Sequence, residues 1–344
     1  MVIERRVFGE TKDGRAVDLF VLGDNGFSVE VISYGAAVRS FFVPVDGGVR
    51  DVALGCEDVA GYEANRACHG AIVGRYANRI RDARYEMNGE THHLDANADP
   101  HCIHGGFAGF NKRVWDAEVQ EDALVLRLLD KDGVSKGFPG NLDVTVKYTL
   151  DNGELGIEYF ATCDKDTPIN LTNHCYFNLE GHDFGCIENH KMQIFSDRIT
   201  ATDDMLISTG EFVDVSGSPL DLRELTVIGP GFETSCPQMD LAGGYDHNWV
   251  LSSEPHNALA VAAVLECAGL RMTCSTTKPG VQFYSGNMMQ PETGKGGAAY
   301  SKRSGLCLET QYWPNSVNIP DFPAPILRVG DVYSHKTLYK FEGV

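Results

Sequence analysis

Two short segments, far apart in the chain, hold side chains suited to moving protons. They are Asn170-Leu171-Thr172-Asn173-His174-Cys175-Tyr176-Phe177-Asn178-Leu179 and Leu306-Cys307-Leu308-Glu309-Thr310-Gln311. If each is a strand, the period of two places Asn170, Thr172, His174, Tyr176 and Asn178 on one side of the first. That side carries no Lys, Asp or Glu. A solvent face would be charged, so uncharged hydrogen-bonding groups around one imidazole predict the wall of a cavity for a neutral, hydroxyl-rich ligand. In the second segment Leu306 and Leu308 face one way and Cys307, Glu309 and Gln311 the other. A carboxyl with a reference pKa of about 4.3 is a weak base, and an imidazole near 6.5 can give a proton and take it back. Together they predict general acid/base chemistry. Cys175, next to His174, is a candidate nucleophile, but strand neighbours face opposite ways and its thiol is expected to point away from the imidazole.

The elements that must hold these groups read as strands. Phe27-Ser28-Val29-Glu30-Val31, Asp143 to Tyr148 and Leu155 to Tyr159 alternate apolar with polar residues. Asn88-Gly89 and Asn152-Gly153 have the composition of hairpin turns. Helical periodicity is not sustained anywhere, and the stretch from Glu57 to Glu63 holds a short helix at most. No repeat or low-complexity linker divides the chain, which predicts an all-β protein folded as one large antiparallel β-sandwich domain over residues 1–344. Gly286 to Ser304 reads as an exposed, mobile loop. Its Gly294-Lys295-Gly296-Gly297 lacks the spacing of a phosphate loop.

The net charge of −19, from 29 basic and 48 acidic residues, speaks against nucleic acid or an anionic membrane as partner. The start, Met1-Val2-Ile3-Glu4-Arg5-Arg6, lacks the apolar core of a signal peptide, and the apolar run Ala258 to Leu265 is too short to span a bilayer, so a cytoplasmic location is expected. Ten Cys without a CxxC pair are expected to be reduced and mostly packed as small hydrophobes. His92, His93, His101, Cys102 and His104 raise a metal site, but their spacing matches no standard zinc pattern; no metal and no cofactor are expected.

Further motifs accompany the two segments: Gly74-Arg75-Tyr76-Ala77-Asn78-Arg79-Ile80, Ile103-His104-Gly105-Gly106 with Gly109-Phe110 and Trp115, Tyr245-Asp246-His247-Asn248, Gly280 to Asn287, and Leu308 to Pro323. In this order, over nearly the whole chain, they resemble the aldose 1-epimerases, the galactose mutarotases. The resemblance implies the galactose-mutarotase-like β-sandwich and cofactor-free interconversion of the α and β anomers of a free aldohexose. It places Glu309 as general base and His174 as general acid. Asn78, Arg79, His104, Tyr176, Asp246 and Gln282 fall on positions that bind the sugar. The chain departs from the family pattern at Ile103, Asn111 and Arg81-Asp82, none of them a proton-transfer group. The resemblance leaves open the bland roles: a surface ion pair for Arg79, a turn for Asp246, a structural amide for Gln282. The partner expected is a small hexose, and the assembly a monomer or weak dimer. Two other readings stand beside this one. A sugar-binding or regulatory protein would keep the pocket without turnover, and a hexose-phosphate epimerase would add cations, with Arg81, Arg84 and Lys112 as candidates.

Overall fold

The computed structural model describes residues 1–253, 255 and 258–344. Strands dominate it, and the short helix expected near Glu57 runs from Val59 to Ala64, capped by the Asp58 side chain. In the strand Leu142–Asp151 burial alternates residue by residue, as a half-buried sheet requires. The hairpins Arg84–Met87 with Glu90–His93, and Leu142–Asp151 with Glu154–Cys163, close through Asn88-Gly89 and Asn152-Gly153.

Three antiparallel sheets carry the architecture. A five-stranded meander runs Val2–Glu10, Ala16–Asp24, Phe27–Ile32, Ala37–Val45 and Gly48–Asp51 in chain order. A nine-stranded sheet is centred on Glu154–Cys163 and the C-terminal strand Tyr333–Gly343. The third orders Ser208–Asp214, Arg198–Thr202, Asp246–Val250, Gly280–Tyr284 and Cys307–Gln311. One apolar cluster joins all three, drawing Phe20 and Phe41 from the first, Tyr148 and Tyr339 from the second, and Trp249, Phe283 and Leu308 from the third. This is the large antiparallel β-sandwich the alternation predicted.

Two expectations are corrected. Residues 170–178 do not form one strand: Thr172–Asn173 pairs with Ile72–Val73, while Asn170 bridges Tyr76 and Phe177 bridges Ala53 and Leu306. The backbone there is shared among several neighbours, so a single two-residue period does not run through it. The stretch Gly286 to Ser304 is only partly an exposed loop. It contains a small hairpin, Glu292–Thr293 with Ala299–Tyr300, and Met289, Lys295 and Tyr300 are buried. Lys295 reaches Asp51 at 2.6 Å and Ser40 at 2.8 Å, so its amine is held inside the protein and not presented to a phosphate.

Candidate active site

The third sheet sorts its residues by parity. Across its last three strands, Asp246 pairs with Tyr284 and Tyr284 with Cys307; two residues on, Asn248 pairs with Gln282 and Gln282 with Glu309. Those rows share one face. The rows between them, His247–Phe283–Leu308 and Trp249–Val281–Thr310, lie on the opposite face, where Trp249, Val281, Phe283 and Leu308 join the core. The alternation read around Glu309 therefore holds, and it points the carboxyl away from the core.

A cavity of about 810 Å³ opens on that face, lined by Asn78, Arg79, His104, His174, Tyr176, Asp246, Tyr284 and Glu309, with residues 64–68 and 288–293 around it. It brings the two proposed proton-transfer groups together: His174 Nε2 lies 3.6 Å from Glu309 Oε1. Of the polar residues in the first segment, His174 and Tyr176 reach the cavity; Asn170, Thr172 and Asn178 do not line it. Asn170 clamps backbone instead, accepting from Tyr312 N at 3.0 Å, and the Asn178 amide donates to the Ser304 carbonyl at 3.0 Å. Cys175 lies in the apolar core, turned from the imidazole as expected.

Asn78 and His104 both adopt positive φ, on loops that hold one another: Asn78 N donates to His104 Nδ1 at 3.2 Å. The Asn78 side chain accepts from Arg79 N at 2.8 Å. Gly105 allows a close backbone contact, since a Cβ there would lie 2.0 Å from the Gly74 carbonyl oxygen. Arg79 stands 4.0 Å from Asp246, which accepts from Gln282 Nε2 at 2.7 Å. Gln282 is thus placed behind Asp246, and its own oxygen accepts from Gln311 Nε2 at 3.3 Å.

Burial sets the charges. It pushes the His174 imidazole down to about 4, with nearby His69 adding to the effect. It lowers His104 well below its usual value, helped by His174. It raises Glu309 well above the ordinary carboxylate range; Asp246 pushes the same way and Arg79 opposes. Burial therefore favours the uncharged form of each, a protonated Glu309 beside a neutral His174, one proton for two groups. Among the described residues Glu309 Oε2 is buried without a hydrogen-bond partner, so it is left to meet an incoming hydroxyl.

The five His and Cys residues of the 92–104 stretch do not converge: His92 stacks on Tyr85, His101 accepts from Asp82 N, and Cys102 is packed in a small apolar cluster. His104, His174 and Glu309 do place donor atoms within 4.8 Å of one another. That trio suits a sugar better than a cation. His104 Nδ1 accepts a backbone N–H, so in the neutral ring Nε2 carries the hydrogen and donates. Cys307, placed on the Glu309 face by the alternation but given no role there, lies with its Sγ 3.4 Å from His174 Nδ1. Its position two before Glu309 on the same strand was the available signal.

Similarity to known proteins agrees with this geometry. The family model described as aldose 1-epimerase matches residues 18–340. The chain belongs to the aldose 1-epimerase family. Galactose mutarotase of Mus musculus is 40% identical over 342 residues, covering 98% of both chains, and aldose 1-epimerase of Escherichia coli K12 is 38% identical over 335 residues, covering 96% of both. The crystal structure of galactose 1-epimerase from Lactobacillus acidophilus NCFM superimposes with a TM-score of 0.86 at 26% identity, covering 99% of each chain. The enzyme is accordingly an isomerase acting on carbohydrate. No helix among its described residues is long and apolar enough to cross a membrane.

Proposed function

We propose that the enzyme interconverts the α and β anomers of free aldohexoses such as galactose and glucose, with Glu309 and His174 as its proton-transfer groups. The observation that carries this is the 3.6 Å approach of an imidazole to a buried carboxyl in a cavity that also presents Asn78, Arg79, His104, Tyr176 and Asp246. For ring opening, the Glu309 carboxylate takes the proton of the anomeric hydroxyl while the His174 imidazolium gives one to the ring oxygen. The bond from the anomeric carbon to the ring oxygen breaks, and an aldehyde forms. Rotation about the adjacent carbon–carbon bond presents either aldehyde face, and reclosure returns both protons. The ionised pair is reached from the neutral one by moving a single proton, and Arg79 favours it by stabilising the carboxylate. Asn78, Arg79, His104, Tyr176 and Asp246 bind hydroxyls, and Gln282 acts by fixing the Asp246 carboxylate.

A phosphorylated hexose is the less favoured substrate. Arg81 is taken by Asp203 at 2.6 Å, Arg84 lies 3.9 Å from Asp82, and the Lys112 amine faces the Phe107 carbonyl at 3.5 Å. The cations lining the cavity are Arg66 and Arg79. The free state of all ten cysteines suits a reducing cytoplasm, and the reading includes a monomer or weak dimer. Polarimetry of freshly dissolved α-galactose tests the proposal. Rotation should relax faster in proportion to enzyme added, with hexose 6-phosphate a poor competitor; relaxation at the rate of buffer would leave a binding protein.

A further inference from the structure

Lys278 is fully buried, and no carboxylate forms an ion pair with it among the described residues. Lysine is almost never fully buried unless paired, so its place requires a reason. Its Nζ donates to the Leu171 carbonyl oxygen and approaches the Thr310 carbonyl oxygen at 3.5 Å. The same atom lies 4.2 Å from the centre of the Tyr159 ring, a face that attracts a polar N–H.

Those carbonyls belong to the segments that carry the proton-transfer groups. Leu171 lies three residues before His174, and Thr310 directly follows Glu309. The two segments are joined at their ends: the Asn170 side chain accepts from Tyr312 N, and Phe177 and Leu306 exchange backbone hydrogen bonds at 2.7 and 3.0 Å. Between those ends, among the described residues, no backbone hydrogen bond links the two segments. The lysine amine fills the gap. Burial pushes it well below its usual value, so the neutral form offers two N–H groups to two carbonyls without bringing a bare charge into the core.

We propose that Lys278 is a positioning residue that holds Glu309 and His174 at their working separation by tying together the backbones of the segments that bear them. The inference rests on the mutarotase reading, and its test separates the two. It lies on the core side of the third sheet and does not line the cavity, so it acts on proton transfer rather than on sugar affinity.

The test compares Lys278→Met, which keeps the length and removes the donors, with Lys278→Gln, which keeps one donor on a shorter arm. Polarimetric kcat and KM for galactose are measured alongside thermal denaturation. Misplacing a reacting group by about 1 Å costs up to about 100-fold in rate, so in Lys278→Met kcat should fall about 10- to 100-fold with KM within about twofold. Lys278→Gln should fall between it and the parent. Combining Lys278→Met with Glu309→Asp should lose less than the product of the two single effects, because both disturb one carboxylate position. A folded Lys278→Met with unchanged kcat, a change confined to KM, or failure of both variants to fold would each overturn the positioning role. A parent enzyme without acceleration in the same polarimeter would instead overturn the mutarotase reading.

Discussion

Replacing Glu309 by Gln separates what this carboxyl does for catalysis from what it does to the fold. The amide has nearly the same shape, so no cavity is created at a position that is only 2% exposed. It can neither accept the anomeric proton nor carry charge. A positioned acid or base contributes about 10²- to 10⁴-fold, so kcat/KM should drop by that factor, equivalent to about 3–5 kcal/mol of transition-state stabilisation. Stability should move the other way. A carboxyl whose folded pKa lies above its unfolded one binds its proton more tightly when folded. Its contribution to stability is therefore lost as pH rises from the ordinary carboxylate range through the raised value. Gln does not titrate, so the variant should equal the parent in acid and match or exceed its Tm at pH 7–8. Polarimetry with galactose and thermal scans between pH 5 and 8 measure both. Turnover above about a tenth of the parent's would refute the base assignment. A Tm lowered by more than about 4 °C at pH 8 would refute the argument that burial sets the carboxyl's proton affinity.

The shared proton also fixes the pH profile: because His174 stays neutral down to about 4 and Glu309 keeps its proton well above the usual range, kcat/KM should hold level between those limits. An acid limb near 6.5, the value of an unperturbed histidine, would contradict the burial argument. Gly70 has φ +65° and its N–H donates to the His174 carbonyl at 3.0 Å, while a Cβ would sit 1.8 Å from the Val38 carbonyl oxygen. Gly70→Ala should therefore lower stability by at least about 1–3 kcal/mol through backbone strain alone and reduce kcat by displacing His174. Denaturant unfolding and polarimetry check it, and a variant with parental stability would show that the loop yields without cost.

Much of the site was legible before any coordinates. Glu309 was readable because Cys307–Gln311 is a regular strand, where parity alone separates core from cavity. The same argument failed for Asn170, Thr172 and Asn178. The segment is irregular and pairs only in pieces, so Asn170 and Asn178, which look like part of a ligand-binding row, instead satisfy backbone amides and carbonyls, and Thr172 is buried away from the cavity. Lys295 misled for a related reason: a Gly-rich, polar stretch reads as surface, and only the fold supplies Asp51 as the partner that allows its burial. Nothing local to Lys278 distinguishes it from a surface lysine; its meaning lies in two carbonyls far along the chain.

The sequence by itself determined the class of fold, through alternation and turn chemistry that act over a few residues, and the kinds of group able to exchange a proton. Tertiary structure decided which of those groups meet. The 3.6 Å gap between His174 and Glu309, and the burial that leaves them one proton to share, arise from the pairing of distant segments. Desolvation depends on everything packed around a group, and no local pattern encodes it.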